Sequence, residues 1–308
     1  MKGITWNQFG EQPALRGDLP EPTPGPGELL VRVQASSVNP VDNAIAAGML
    51  KDMVPHEFPV TLGRDFAGVV EQVGEGATVA SAGDDVFGMI PGMAPAVHAG
   101  TWAELIVAPE SALTRVPDGV DTAAAGGVGL AAVTAMLCVD ALELSSGDTV
   151  LIAGATGGVG TNAAQLAVAA GATVIAPGLP EDDDYLRALG VAEILPRGGD
   201  VPAAVRERHP DGVDAVIDLV NYTPGTYDSA LKAGGRVSSA TNAAGEGPGR
   251  TNVMSAPSPA MLERIAKHVA DGTVKVPIQR TYDLAQATNA LQALGSGHTQ
   301  GKLAIRMG

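Results

Sequence analysis

The sequence predicts an α/β chain in which a β-rich first part is followed by a doubly wound parallel sheet. Three observations predict it. Thr149 to Ala153 is an unbroken β-rich apolar run that stops on the glycine cluster Gly154 to Gly160, as expected of a strand buried on both faces. From about Thr122 onward, strand-like runs alternate with stretches of small helical residues, the signature of parallel βαβ units. Before that point, short apolar runs are separated by Pro/Gly turns, which marks a compact β-rich domain.

Taken in order, Leu29 to Val33 follows the turn segment Pro22 to Gly27, and Ala67 to Val73 precedes Gly74-Glu75-Gly76. Both read as strands. In the second part the expected strands are Thr149 to Ala153, Thr173 to Ala176, Glu193 to Leu195, Ala215 to Leu219 and Arg236 to Ser239, with a helix over Thr161 to Ala170. The tail returns to a helix, Met261 to Ala270, and to strands at Lys275 to Ile278 and Lys302 to Arg306. These complete the first domain if the chain closes back on itself, so the expected division is 1–121, 122–257 and 258–308. A chain of 308 residues suits two domains, because single cores stop growing at about this size.

Composition excludes several function classes. The 34 acidic residues against 19 basic ones, a formal net charge of -15, oppose general affinity for nucleic acid or anionic membranes. A small-molecule partner fits better. The single cysteine, Cys138, can form no internal disulfide and reads as core within Val133 to Val139. Met1 to Trp6 has no apolar signal region, and no run reads as long and apolar enough to span a bilayer, so the expected location is cytoplasmic. His56, His98, His209, His268 and His298 are scattered without ligand spacing, so no metal site is expected. The acidic run Glu181 to Asp184 reads as a solvated helix start.

The glycine cluster carries the chemistry. Glycines between a buried strand and a helix let the backbone approach a pyrophosphate at the helix N-terminus, where N–H groups and the dipole favour negative charge. The strict pattern is G-x-G-x-x-G; here it reads Ala155-Thr156-Gly157-Gly158-Val159-Gly160, preceded by Gly154. Alone, the pattern is also compatible with a glycine-rich turn that holds no ligand.

Several further segments occur in a specific order: SVNPVD at Ser37 to Asp42, GRDFAGVV at Gly63 to Val70, GDDVFG at Gly83 to Gly88, GTWAE at Gly100 to Glu104, GGRV at Gly234 to Val237 and HTQGK at His298 to Lys302. With the glycine cluster, they make the chain resemble the medium-chain dehydrogenase/reductase superfamily, in its zinc-independent, zeta-crystallin-like quinone oxidoreductase branch, over nearly its whole length. The resemblance implies a GroES-like domain built from both chain ends, a Rossmann-type cofactor domain in the middle, an active site in the cleft between them, and a homodimer. Where zinc-dependent relatives carry G-H-E, this chain has Gly63-Arg64-Asp65, and where they carry the catalytic cysteine it has Val38-Asn39-Pro40. The metal site is broken, which weakens alcohol oxidation and strengthens reduction of a conjugated acceptor.

By the same resemblance, Asn39 lies beside the nicotinamide and hydrogen-bonds the acceptor oxygen; the alternative is an asparagine that caps a turn. Asp42 reads as a structural acceptor. Some relatives carry a tyrosine shortly after this aspartate, whereas Asn43 to Ala47 reads NAIAA; the proton donor is unassigned and water is available. Thr134 matches a threonine near the cofactor phosphates, or bonds its own helix backbone. Val220, Asn221, Thr241 and Asn242 follow strands, where α/β sheets bind ligands, and Val220 and Asn242 are assigned to the cofactor. Lys302 matches a family lysine near the cofactor cleft, or is a surface lysine on a strand.

The tip of the second sheet strand, Ala176-Pro177-Gly178, lacks the acid that would bond the ribose of NAD. The acidic run Glu181 to Asp184 would repel a 2′-phosphate if it faced one, and Arg197, after the next strand, is placed to restore a phosphate contact, so NADPH is expected and NADH is possible. The expected activity is hydride transfer from NADPH to a quinone. Two alternatives stand: reduction of an α,β-unsaturated carbonyl, and a crystallin-like protein that binds cofactor without turnover. The segment Met89 to His98, expected to line part of the pocket, has methionines and no aromatic side chain to stack on a quinone.

Overall fold

Alternation of side chains shapes the main sheet of the first unit. In β3 (Glu28–Ser37), Val31, Val33 and Ala35 are buried while Arg32 and Gln34 face water, the period-2 pattern of a half-buried strand. The computed structural model describes residues 1–90 and 96–308. The chain forms two units, Met1–Val133 with Ala256–Gly308, and Thr134–Ser255.

The first unit has a small antiparallel sheet, β1 (Gly3–Trp6), β2 (Ala14–Arg16) and β4 (Val60–Thr61), in the order β2-β1-β4. Its larger sheet adds β5 (Asp65–Val73), β6 (Asp85–Met89), β7 (Leu105–Pro109), β8 (Leu113–Arg115), β15 (Ile278–Asp283) and β16 (Lys302–Arg306), in the order β15-β16-β3-β5-β6-β8 with β7 also on β3. The C-terminal strand therefore pairs with an N-terminal one, Ala304 opposite Ser37 and Arg306 opposite Ala35. Both sheets close on a core that includes Ile4, Trp6, Leu62, Phe66, Trp102 and Ile305. Helices α1 (Pro40–Ala46), α6 (Pro259–Ala270) and α7 (Ala287–Ser296) complete this unit. Trp6, Phe9, His56 and Phe58 gather in one ring cluster, with centroids 5.0–6.2 Å apart in its paired contacts.

The second unit is a parallel sheet of β9 (Thr149–Ala153), β10 (Thr173–Gly178), β11 (Glu193–Pro196), β12 (Val213–Asp218), β13 (Leu231–Ser239) and β14 (Arg250–Asn252). Their order is β11-β10-β9-β12-β13-β14, the doubly wound arrangement. Helices α3 (Gly158–Ala169), α4 (Asp183–Ala188) and α5 (Val201–Arg208) alternate with the strands. This is the two-domain architecture of a GroES-like unit and a Rossmann unit.

Helix α2 (Thr122–Asp140) corrects two expectations. The division falls inside it rather than at its start, because Leu130 N donates to Asp65 in the first unit, whereas the Thr134 hydroxyl is hydrogen-bonded to Ser255 in the second. It is also long and apolar enough to cross a membrane by length and composition, although 67% of that stretch is buried inside the fold, as for a core helix. Other differences are local. The strand expected at Lys275 to Ile278 begins only at Ile278, since Pro277 has no N–H to give a ladder. Asp182, within the expected solvated run, is buried and its carboxylate accepts from Leu179 N at 2.9 Å. Cys138 is buried as expected, and burial pushes its thiol up to about 12.

Candidate active site

In the second unit the candidate residues collect at the carboxyl ends of the parallel strands. The loop after β9 sits where the chain order reverses, since β10 and β12 flank β9, and ligands of open α/β sheets bind at that switch point. Gly154 takes φ +88°, a left-handed turn that an L residue resists. The turn is thus carried by Gly154, one residue before Ala155, which explains why Ala155 is tolerated at the first motif position. Gly160 fulfils the third: a Cβ there would lie 2.0 Å from Gly154 O and 2.6 Å from Ala155 Cα. Gly157 is different, because a Cβ would meet nothing closer than Gly154 O at 3.6 Å. Its outer side is open.

Gly157 is the N-cap of α3, so the N–H groups of Gly158, Val159 and Gly160 lie in the first turn, where no i−4 carbonyl is available. Gly157, Gly158 and Val159 are half-buried, and Thr156 is buried. An open glycine beside first-turn N–H groups fits a pyrophosphate. Thr161, one residue on, shares a 2.7 Å hydrogen bond with the Tyr185 hydroxyl, whose pKa burial pushes up to about 12.

The neighbouring strand ends carry the other candidates. Val220 N and Asn221 N donate to Asp218 Oδ1 at 3.1 and 3.0 Å, and Asn221 Nδ2 donates to Asp218 Oδ2 at 2.9 Å. Asp218, which the sequence reasoning missed, thereby shapes the turn that leaves Val220 exposed. The Thr241 hydroxyl donates to Asn221 O, tying the β13 turn to the β12 turn. Asn242 is exposed with φ +69°, a conformation asparagine tolerates better than most residues. Arg197 is exposed, and its N–H donates to Gly178 O at 2.9 Å. That bond sets Arg197 beside the tip of β10. The Thr134 hydroxyl is hydrogen-bonded to Ser255 rather than limited to its own helix.

The first unit holds a buried polar cluster. Asn39 is the N-cap of α1, and the Asp42 carboxylate accepts from Asn39 N at 2.8 Å and from Gly63 N at 3.2 Å. The Asn39 side chain does not cap its helix. Its Nδ2 donates to Asp65 Oδ2 at 2.9 Å, and its Oδ1 accepts from Lys302 Nζ at 2.6 Å. Lys302 also donates to Val38 O at 3.1 Å and lies 3.4 Å from Asp65 Oδ2. It is 4% exposed, so the surface-lysine alternative is overturned. Its three N–H donors match the three oxygens of this unit that it faces.

Burial pushes the Asp42 carboxyl up to about 6, against the lowering pull of Arg64. Burial likewise lowers the Arg64 guanidinium, whose Nη1 donates to Ala99 O at 3.0 Å while Nε and Nη2 have no hydrogen-bond partner among the described residues. Asp65 was missed from the sequence. The signal was an acid opening the otherwise apolar run Asp65 to Val70, since a charge entering a core needs partners. Of the segment Met89 to His98, residues 91–95 lie outside the described residues. Among the described residues, no group of three or more His, Cys, Asp or Glu is placed to hold a metal ion.

The sequence model of the alcohol dehydrogenase GroES-like domain matches residues 25–118, and that of the zinc-binding dehydrogenase matches residues 189–305. The chain belongs to the medium-chain dehydrogenase/reductase superfamily. It is 29% identical to a chloroplast envelope quinone oxidoreductase homolog of Arabidopsis thaliana, over 99% of this chain and 98% of that one. It is 33% identical to a mycocerosic acid synthase-like polyketide synthase of Mycobacterium tuberculosis over 92% of its length, which spans 14% of that protein. The solved structure of the quinone oxidoreductase from Coxiella burnetii superposes with a TM-score of 0.85 at 28% identity, covering 99% of each chain. Members of this superfamily are oxidoreductases that bind a nicotinamide cofactor, and the residues at the strand ends of the second unit suit one.

Proposed function

We propose that this medium-chain dehydrogenase/reductase is a zinc-independent quinone reductase that prefers NADPH and acts as a cytoplasmic homodimer. The observation that carries the reading is the open, half-buried glycine turn at the sheet's switch point, followed by first-turn N–H groups that have no i−4 carbonyl to bond. Ala155 to Gly160 hold the pyrophosphate, Val220 and Asn242 border the nicotinamide side, and Thr134 lies on the phosphate side. Arg197 takes the 2′-phosphate; the inward turn of Asp182 onto Leu179 N removes one acid that would repel it. The bound dihydronicotinamide supplies a hydride, which with one proton converts a quinone to its hydroquinone. Asn39 donates an Nδ2 hydrogen to the acceptor oxygen as negative charge grows there. Arg64 in place of a ligand histidine supports chemistry without zinc, and the proton comes from water.

A second reading is reduction of an α,β-unsaturated carbonyl. It is favoured by an aromatic content of 3% and by the gathering of Trp6, Phe9 and Phe58 into one structural cluster. Stopped-flow oxidation of NADPH with a panel of quinones and enones separates the readings. Quinone-dependent oxidation is expected, whereas cofactor binding without any acceptor-dependent oxidation would show a non-catalytic binder. Arg197→Ala is expected to raise the KM for NADPH about tenfold with little effect on NADH. A wild-type kcat/KM higher for NADH than for NADPH overturns the cofactor preference.

A further inference from the structure

We propose that Lys302 and Asp65 are positioning residues that lock the Asn39 amide so that an Nδ2 hydrogen, not Oδ1, is offered to the acceptor. The inference rests on the reading of Asn39 given above. Lys302 Nζ faces Val38 O, Asn39 Oδ1 and Asp65 Oδ2 at 3.1, 2.6 and 3.4 Å. A lysine is donor only and an ionised aspartate acceptor only. Turning the Asn39 amide over would set Nδ2 against the ammonium and Oδ1 against the Asp65 carboxylate. Both contacts would be repulsive.

Water cannot relieve them, because Asn39, Asp65 and Lys302 are 2%, 0% and 4% exposed, and unpaired polar groups are costly in such surroundings. Asp65 is itself fixed: Ser37 Oγ donates to its Oδ2 and Leu130 N to its Oδ1 at 2.5 Å. An amide has two hydrogens. One is on Asp65, and the orientation leaves the other as the group's remaining donor.

The test is a double-mutant cycle on kcat/KM for acceptor reduction, joined to an NMR measurement that needs no turnover. Asn39→Ala is expected to lose about 100-fold in kcat, as for an oxyanion donor, and Lys302→Met about 10- to 100-fold from misplacement. If Lys302 acts through Asn39, Lys302→Met costs little more once Asn39 is alanine, and Lys302→Arg restores part of the loss. In protein labelled with 15N-asparagine, the Asn39 side-chain amide protons should exchange slowly, and at least about tenfold faster in Lys302→Met. Should that variant not fold, Lys302→Met/Asp65→Asn, which leaves no lone buried charge, replaces it in both measurements. Fully additive losses, or unchanged Asn39 amide signals, overturn the proposal. Full activity of Asn39→Ala with the amide signals still moved overturns the catalytic reading of Asn39 and leaves the lock standing.

Discussion

The two units build their candidate sites from opposite materials. In the second unit the site is backbone: a left-handed glycine, an open glycine and the first turn of α3, all within Gly154 to Gly160. In the first unit it is side chain: Asn39, Asp65 and Lys302, joined across 26 and 263 positions of sequence. A backbone site tolerates almost no added atom where it packs, yet its glycines stand together in sequence. A side-chain site tolerates conservative change but depends on partners that only the fold assembles.

The largest expected effect tests the backbone site. Gly160→Val drives carbons into Gly154 O and Ala155 Cα, which cannot retreat, and is expected to cost upwards of about 4 kcal/mol, measured by urea unfolding. Stability within 1 kcal/mol of wild type would break the contrast at its strongest point. Next, Lys302→Met leaves Asp65 buried without its cation and is expected to cost about 3–5 kcal/mol, most of it recovered in Lys302→Met/Asp65→Asn. Failure of the double variant to recover would mean that packing, not charge, holds the cluster.

A pH measurement sharpens the same unit. The Asp42 carboxyl, pushed by burial from 3.8 to about 6, binds its proton more tightly folded than unfolded. Its contribution is full below pH 3.8 and is lost as pH rises through about 6, up to about 3 kcal/mol. Asp42→Asn lacks this dependence, so its stability relative to wild type should improve between pH 4 and pH 7; a constant difference would remove Asp42 from the account. The smallest effect on stability returns to the glycine turn. Gly157→Ala, with 3.6 Å of clearance, should leave folding within about 0.5 kcal/mol while weakening NADPH binding about tenfold, read by fluorescence titration. Unchanged affinity would mean that the open side of Gly157 does not face the pyrophosphate.

By itself the sequence determined the local conformations: the strand Thr149 to Ala153, the glycine turn, the alternation of βα units and the return of Lys302 to Arg306 as a strand. These follow from neighbours within a few positions, through periodicity and glycine's freedom. It also contained the buried acid of Asp65 to Val70 without showing what answered it. Tertiary structure alone decided that Gly154 rather than Ala155 makes the turn, and that Asp182 points inward. It also decided between the two readings of Lys302, a lysine near the cofactor cleft or one on the surface, by burying it against Asn39 and Asp65. Such pairings join residues from opposite ends of the chain, and desolvation together with hydrogen-bond geometry selects them only once β16 lies beside β3.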